Sequence, residues 1–197
     1  MSRRNTTAPA PDRRKIAIYG AITALVVAAI VAIGVLNQSG VKKAASDAPI
    51  TSTIAVGQTA PEFTAQTNAG PFDLAGVSTP VLVEVFATWC PHCQNEAAVL
   101  NDVATKYAGK VALVAVSGSP TGMDGNSTES QADVNQFGQK YGVRYPIAFD
   151  PDLKVASKYI ANGFPTLVLI DKNKKVTWVT SGETAEADIE KALKRVL

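Results

Sequence analysis

Both cysteines of the chain and its only histidine lie within residues 86–93, FATWCPHC, at Cys90, His92 and Cys93. Thiols and imidazole are the side-chain groups that most readily bind metals, attack other atoms and exchange protons near neutral pH. Three arrangements would use them at this spacing. They are a metal site, a covalent haem attachment site, and a pair of cysteines that forms and breaks a disulfide.

The spacing favours the redox pair. A zinc site needs about four ligands, whereas this stretch offers two cysteines and a histidine poorly placed to reach the same ion. Haem attachment requires a histidine directly after the second cysteine, and Gln94 occupies that position. A purely structural disulfide is disfavoured, because a bridge across two residues closes a very short loop and removes little conformational entropy from the unfolded chain.

The residues around the cysteines predict a strand that leads into a helix. Residues 81–86, VLVEVF, form the nearly continuous apolar run of a strand buried on both faces. A helical pattern follows it, so Cys90 should fall near the helix N-cap and Pro91 at the first helical position. Free backbone N–H groups and the positive end of the helix dipole would favour a thiolate at Cys90. Cys93, one turn into the helix, should be shielded.

Glu84 is the one charged residue of the apolar run 81–86. Burying a carboxylate costs free energy unless it has a partner or a function, and residues 111–117, the next predicted strand, contain no Lys or Arg. Two interpretations stay open. Glu84 is either a buried acid that takes part in the chemistry of the cysteines, or a glutamate at the edge of the strand that reaches solvent.

The remaining patterns predict an α/β fold with a mixed central sheet and helices on both faces. Strands are predicted at 111–117, 145–149, 166–170 and 176–180, and helices at 130–141, at 153–160 and from about Thr184 onward. Residues 118–129, GSPTGMDGNSTE, are polar and Gly-rich and predict a surface loop.

The N-terminal region has the composition of a membrane anchor. Residues 1–15 hold five of the 19 Lys and Arg but one of the 17 Asp and Glu, and residues 16–36 carry no charge. A helix of this length spans a bilayer, and the basic tail before it should stay in the cytoplasm. The interpretation is a cytoplasmic tail at 1–15, a transmembrane helix at 16–36, a linker at 37–55 and a domain at 56–197. A signal peptide cleaved near residues 44–48 is the alternative, and both export the domain.

Two motifs resemble the thioredoxin superfamily: TWCPHC at 88–93 and GFPT at 163–166. Residues 56–63 and 72–74 resemble the leading hairpin of the TlpA/ResA redoxin branch, so the resemblance covers about residues 55–197. It implies a thioredoxin fold with an N-terminal hairpin extension and a cis peptide bond before Pro165. It further implies that Trp89, Phe164 and Pro165 line the substrate surface, and that Cys90 and Cys93 form the redox disulfide. Thioredoxins also carry an acid at the position of Glu84, where it helps to move the proton of the buried cysteine.

The dipeptide between the cysteines, Pro91-His92, is the one found in the DsbA oxidants, where the histidine stabilises the thiolate. DsbA also carries a large helical insertion between its cysteines and its cis-proline, for which the 71 residues between Cys93 and Pro165 leave no room. The sequence therefore predicts a TlpA-type scaffold with a DsbA-type site that donates disulfides to exported proteins. A reductant of exported disulfides or of apocytochrome c is the alternative within this chemistry.

Functions outside disulfide exchange fit less well. A thiol peroxidase of this fold needs a PxxxTxxC pattern, which neither cysteine shows, and a copper carrier needs CxxxC with a distant histidine. The domain lacks the basic face that nucleic acid requires. We expect a monomer without cofactor or metal whose partners are exported cysteine-containing proteins and a membrane redox protein that resets the cysteines.

Overall fold

The computed structural model describes residues 54–197. The predicted cytoplasmic tail, the predicted transmembrane helix and residues 37–53 of the predicted linker lie outside these residues. Among residues 54–197, no helix combines the length and the apolar character needed to cross a bilayer.

The described residues form one mixed sheet of seven strands with helices on both faces, as the sequence patterns predict. The strands are β1 (Thr64–Thr67), β2 (Gly70–Asp73), β3 (Val81–Phe86), β4 (Ala112–Ser117), β5 (Ile147–Phe149), β6 (Thr166–Ile170) and β7 (Val176–Ser181). The helices are α1 (Pro91–Lys106), α2 (Gln131–Lys140), α3 (Ala156–Tyr159) and α4 (Glu186–Leu193). Across the sheet the strands follow the order β2-β1-β5-β4-β3-β6-β7.

Strand β3 lies inside the sheet and is buried at every position. It pairs in parallel with β4 and antiparallel with β6. Because successive side chains of a strand point to opposite faces, Leu82 and Phe86 pack beneath α1, α2 and α4, whereas Val83 and Val85 pack against α3. The same alternation puts Glu84 on the face that α1 covers.

Several predicted boundaries shift by a few residues. Ser130, predicted as the first residue of a helix, is the N-cap of α2, where it forms a reciprocal capping box with Asp133. The predicted helix at 153–160 is shorter, because Leu153 has a positive φ of 54° that interrupts helical geometry. The last helix begins at Glu186 after an extended Ala185, two residues later than predicted.

The leading hairpin exists, but its strands are β1 and β2 and not residues 56–63. Most of those earlier residues form a separate segment along the start of β7, where Gly57 N–H donates to the Val176 carbonyl and Ala60 N–H to the Lys174 carbonyl, both at 2.8 Å. The prediction placed the first strand too early, because this segment satisfies its backbone on β7 instead of turning back on itself.

Candidate active site

Helix α1 starts at the two cysteines, as predicted. Cys90 is its N-cap in an extended conformation, and Pro91 occupies the first turn, where a missing N–H costs nothing. No side chain caps this end, so the first-turn N–H groups have no side-chain acceptor. Both residues are free thiols, with Cys90 5% exposed and Cys93 fully buried.

The Cys90 sulfur lies beside the connection that enters β6. Its thiol donates to the Phe164 carbonyl at 3.7 Å, and the Phe164–Pro165 peptide bond is cis, as the resemblance implied. The Trp89 ring meets the Phe164 ring edge-to-face with centroids 6.3 Å apart, and Trp89 is 40% exposed. The predicted substrate residues Trp89 and Phe164 therefore lie together beside Cys90, and Pro165, the next residue along the chain, is buried.

Glu84 is buried, which excludes the interpretation that its carboxylate reaches solvent. Tyr145 Oη donates to Glu84 Oε2 at 3.3 Å, and Oε1 has no hydrogen-bond partner among residues 54–197. Burial, and then the negative charge of Glu96, raise the pKa of Glu84 to about 8, although the Tyr145 hydrogen bond opposes the shift. The group is therefore a largely protonated acid at neutral pH.

Glu96, which the sequence analysis did not single out, is a second buried acid on α1. Its Oε2 accepts the Thr184 N–H at 2.8 Å, while its Oε1 has no partner among the described residues. Burial raises the pKa of Glu96 to about 7, against the effect of the Thr184 hydrogen bond. The helical spacing of the sequence could have identified Glu96 as buried. It follows Cys93 by three positions and precedes Ala97, so it lies on the apolar face of the helix.

Cys93 differs from Cys90 in its surroundings. Burial, and next the negative charge of Glu84, raise the pKa of the Cys93 thiol far above its ordinary value. Cys93 therefore stays protonated, and when it leaves a disulfide it needs a proton from a nearby group. Glu84 is the acid whose charge acts on it most strongly.

Residues 118–129 form the predicted surface loop, but both its ends bind the active-site turn. Glu129 is buried and accepts hydrogen bonds from the hydroxyls of Thr88 at 2.8 Å and Ser117 at 2.6 Å. Near the other end, Ser119 Oγ accepts the Trp89 indole N–H at 2.8 Å. The loop thus fixes the two residues that precede Cys90, a role that the loop's polar composition gave no means to predict.

His92 is exposed and turned toward the connection between β7 and α4. Its Nδ1 lies 3.1 Å from Glu183 Oε2, and Asn95 Nδ2 donates to the same oxygen at 3.3 Å. The hydrogen bond from His92 lowers the pKa of Glu183. Among residues 54–197 no hydrogen bond joins His92 to Cys90, the partner that the sequence suggested for it.

The described residues contain no group of three or more His, Cys, Asp or Glu side chains arranged to hold a metal ion. What they do contain is a cysteine pair with one sulfur slightly exposed and one fully buried, and two buried acids, Glu84 on the sheet and Glu96 on α1. This arrangement can form and break a disulfide and supply a proton to the buried sulfur.

The AhpC/TSA family model matches residues 56–179. The thiol-disulfide oxidoreductase ResA of Geobacillus kaustophilus is 29% identical over 150 residues, which cover 74% of this chain and 80% of that protein. A structure described as a thiol:disulfide interchange protein DsbE of Chlorobium tepidum matches with a TM-score of 0.64 at 24% identity, covering 73% and 99% of the two chains. A thioredoxin family thiol:disulfide interchange protein of Chlorobium tepidum TLS matches with a TM-score of 0.56 at 28% identity, covering 73% and 99%.

We predict that Cys90 reacts with an alkylating agent in the reduced folded protein at least about tenfold faster than Cys93. The reason is that each pKa unit changes the thiolate fraction about tenfold, and burial both hides the Cys93 sulfur and keeps it protonated. The rates are measured by mass spectrometry on Cys93→Ala and Cys90→Ala, each with one thiol. Equal labelling of the two single-cysteine variants would contradict the assignment.

Glu84→Gln is expected to stabilise the protein increasingly as pH rises from 5 to 9. A carboxyl whose folded pKa is raised to about 8 costs no stability below its unfolded pKa and costs most above its folded pKa. Glutamine removes that cost. The free energy of unfolding is measured by denaturant titration at several pH values, with the exposed Glu62→Gln as the matched control.

The same Glu84→Gln variant should exchange disulfides more slowly, because glutamine cannot give Cys93 its proton. A loss of about tenfold or more fits general acid catalysis. If the variant gains stability and exchanges at the full rate, Glu84 has no part in the proton transfer.

Proposed function

This chain belongs to the AhpC/TSA family and is a TlpA/ResA-like thiol–disulfide oxidoreductase, and from that premise we propose that it donates disulfides to exported proteins. The observation that supports this direction is His92, a histidine in the first turn of α1 between the two cysteines. Giving a disulfide away leaves a thiolate at Cys90. Groups that stabilise the thiolate therefore draw the reaction toward the reduced enzyme.

In the proposed reaction a substrate thiolate attacks Cys90 Sγ of the Cys90–Cys93 disulfide. A mixed disulfide forms between the substrate and Cys90, and Cys93 leaves with the electron pair of the broken bond. A second substrate thiolate then attacks the substrate sulfur of the mixed disulfide and releases Cys90. The substrate loses two electrons and gains its own disulfide, and the enzyme becomes the dithiol that the structure contains.

Cys93 needs a proton as it leaves, because its buried sulfur is poorly suited to carry a charge. Glu84 suits this role, since burial keeps it largely protonated at neutral pH and its Oε1 has no hydrogen-bond partner within the described residues. The surface of Trp89, Phe164 and Pro165 would hold the substrate chain against Cys90.

A reductant of exported disulfides or of apocytochrome c is the second candidate, and one observation favours it. His92 is bound to Glu183, and among the described residues it makes no hydrogen bond to Cys90. A histidine whose charge is balanced by a carboxylate stabilises the thiolate less. The two directions then differ in one measurable quantity, the reduction potential.

We further propose that the enzyme is anchored in the cell membrane, with its N-terminus in the cytoplasm and its catalytic domain outside. The uncharged residues 16–36 behind a basic tail support this. A membrane redox protein would reset the cysteines after each turnover by accepting their two electrons.

Cell fractionation is expected to place the intact chain in the membrane fraction, because a span of 21 uncharged residues is long enough to anchor it. Intact-mass measurement of the fractionated protein checks this. A mature form that starts near residue 46 and accumulates in the medium would contradict the anchor.

His92→Thr is expected to make the disulfide harder to reduce and the Cys90 thiolate harder to form, because threonine removes the imidazole, a hydrogen-bond donor that can also carry positive charge, from the first turn of α1. A loss of thiolate stabilisation by about a factor of 100 would correspond to about 2.7 kcal/mol. The reduction potential would then move by roughly 60 mV toward the reducing side. Equilibration with glutathione buffers gives the potential of each variant.

His92→Gln is the companion variant, since glutamine keeps a hydrogen-bond donor but, unlike histidine, cannot be protonated. A reduction potential between those of wild type and His92→Thr would show that the histidine acts partly through its hydrogen-bond donor and partly through its charge. An unchanged or more oxidising potential in His92→Thr would remove the main support for the donor function, and the reductant would then be the better assignment.

A further inference from the structure

Glu183 connects the active-site helix to the loop between β7 and α4. One of its oxygens, Oε2, lies 3.1 Å from His92 Nδ1 and accepts from Asn95 Nδ2 at 3.3 Å. The next residue, Thr184, donates its backbone N–H to the buried Glu96, and Gly182 N–H donates to the Pro165 carbonyl at 2.8 Å. The Glu183 side chain is therefore held at the edge of the site by a loop that is fastened on both sides.

The position of this carboxylate opposes the electrostatics of the CPHC motif. Where the His92 imidazole is neutral, Glu183 adds a net negative charge beside the N-terminus of α1, and where the imidazole is protonated, Glu183 balances its charge. In both states the Cys90 thiolate is less stabilised than it would be beside a neutral side chain at position 183.

Geometry adds a second effect. A hydrogen bond from His92 Nδ1 to Glu183 holds the imidazole over the β7–α4 loop. The donor that is bound to Glu183 cannot serve the Cys90 sulfur at the same time. The carboxylate therefore both balances the charge of His92 and occupies its donor.

We propose that Glu183 is a positioning residue that restrains the oxidising power of the Cys90–Cys93 pair by holding His92 away from Cys90. The inference deepens the proposed function and rests on it, since it names the group that sets how strong an oxidant the site is. The motif between the cysteines does not by itself fix the potential, because a residue 91 positions away from His92 in the sequence acts on the same ring.

The test is equilibration of Glu183→Gln and wild type with glutathione, in which two glutathione thiols reduce the enzyme disulfide to the dithiol and become one glutathione disulfide. We expect the equilibrium constant for Glu183→Gln to shift about two- to fivefold toward the enzyme dithiol, the size of one charge interaction near a helix end. The Cys90 thiolate, followed by its ultraviolet absorbance, should form at lower pH in the variant.

Glu186→Gln is the matched control. It removes the same charge three residues further on, but its ion-pair partner at 3.7 Å is Lys106, the last residue of α1, at the opposite end of the helix from the cysteines. Glu183→Asp is a second variant, which keeps the charge on a shorter side chain. It should shift the equilibrium toward the enzyme dithiol by less than Glu183→Gln does. Thermal unfolding of each variant verifies that the fold is intact.

The effect of Glu183→Gln should fall to less than half in a His92→Thr background, because the ring that Glu183 holds is then absent. Any of three results would overturn the proposal: an equilibrium constant that shifts equally in Glu186→Gln, one that does not shift in Glu183→Gln, or a Glu183→Gln shift that is as large in the His92→Thr background. The proposed function is tested separately by the reduction potential of the wild type, because a potential in the range of reductants would refute disulfide donation. The difference between Glu183→Gln and wild type would still test the role of Glu183.

Discussion

The active site depends on the register of β3 with its two neighbours. Val85 of β3 lies opposite Thr166 of β6, and Phe86 lies opposite Ser117 of β4. The chain therefore leaves β3 at the point where β4 ends and where β6 begins. Those three chain segments supply the turn to Cys90, the loop that binds Trp89, and the cis-proline. Pairing within the sheet is therefore enough to bring them together.

The same buried strand also imposes an energetic cost, because it contains a carboxyl group. Glu84 sits in β3 without an ion-pair partner in the described part of the chain, and Glu96 approaches the same face from α1. Two carboxylates that share a buried region cannot both ionise cheaply, since each raises the free energy of the other's charge. The protein tolerates them because Glu84 stays largely protonated at neutral pH while Glu96 shares its proton with water over the same range. A retained proton is what a buried sulfur needs when it leaves a disulfide.

Local patterns in the sequence predicted the parts of the site that local rules determine. The helix start at Cys90 follows from a buried strand, a proline and a helical pattern that are adjacent in the chain. Glu129 and Glu183 could not be found this way, because their partners Thr88 and His92 are 41 and 91 positions distant. The first strand was placed too early for a similar reason, because residues 57–60 pair with residues 174–176 at the start of β7, more than a hundred positions away.

The loop at 118–129 is attached at both ends, so its tip can change without moving the residues of the active site. Ser119 and Glu129 hold its ends, and a bridge between Thr121 and Thr128 closes it before the exposed turn at 124–127. Lengthening a loop beyond such a closure costs little free energy. The turn can therefore gain, lose or exchange residues during evolution while Trp89 and Cys90 keep their places.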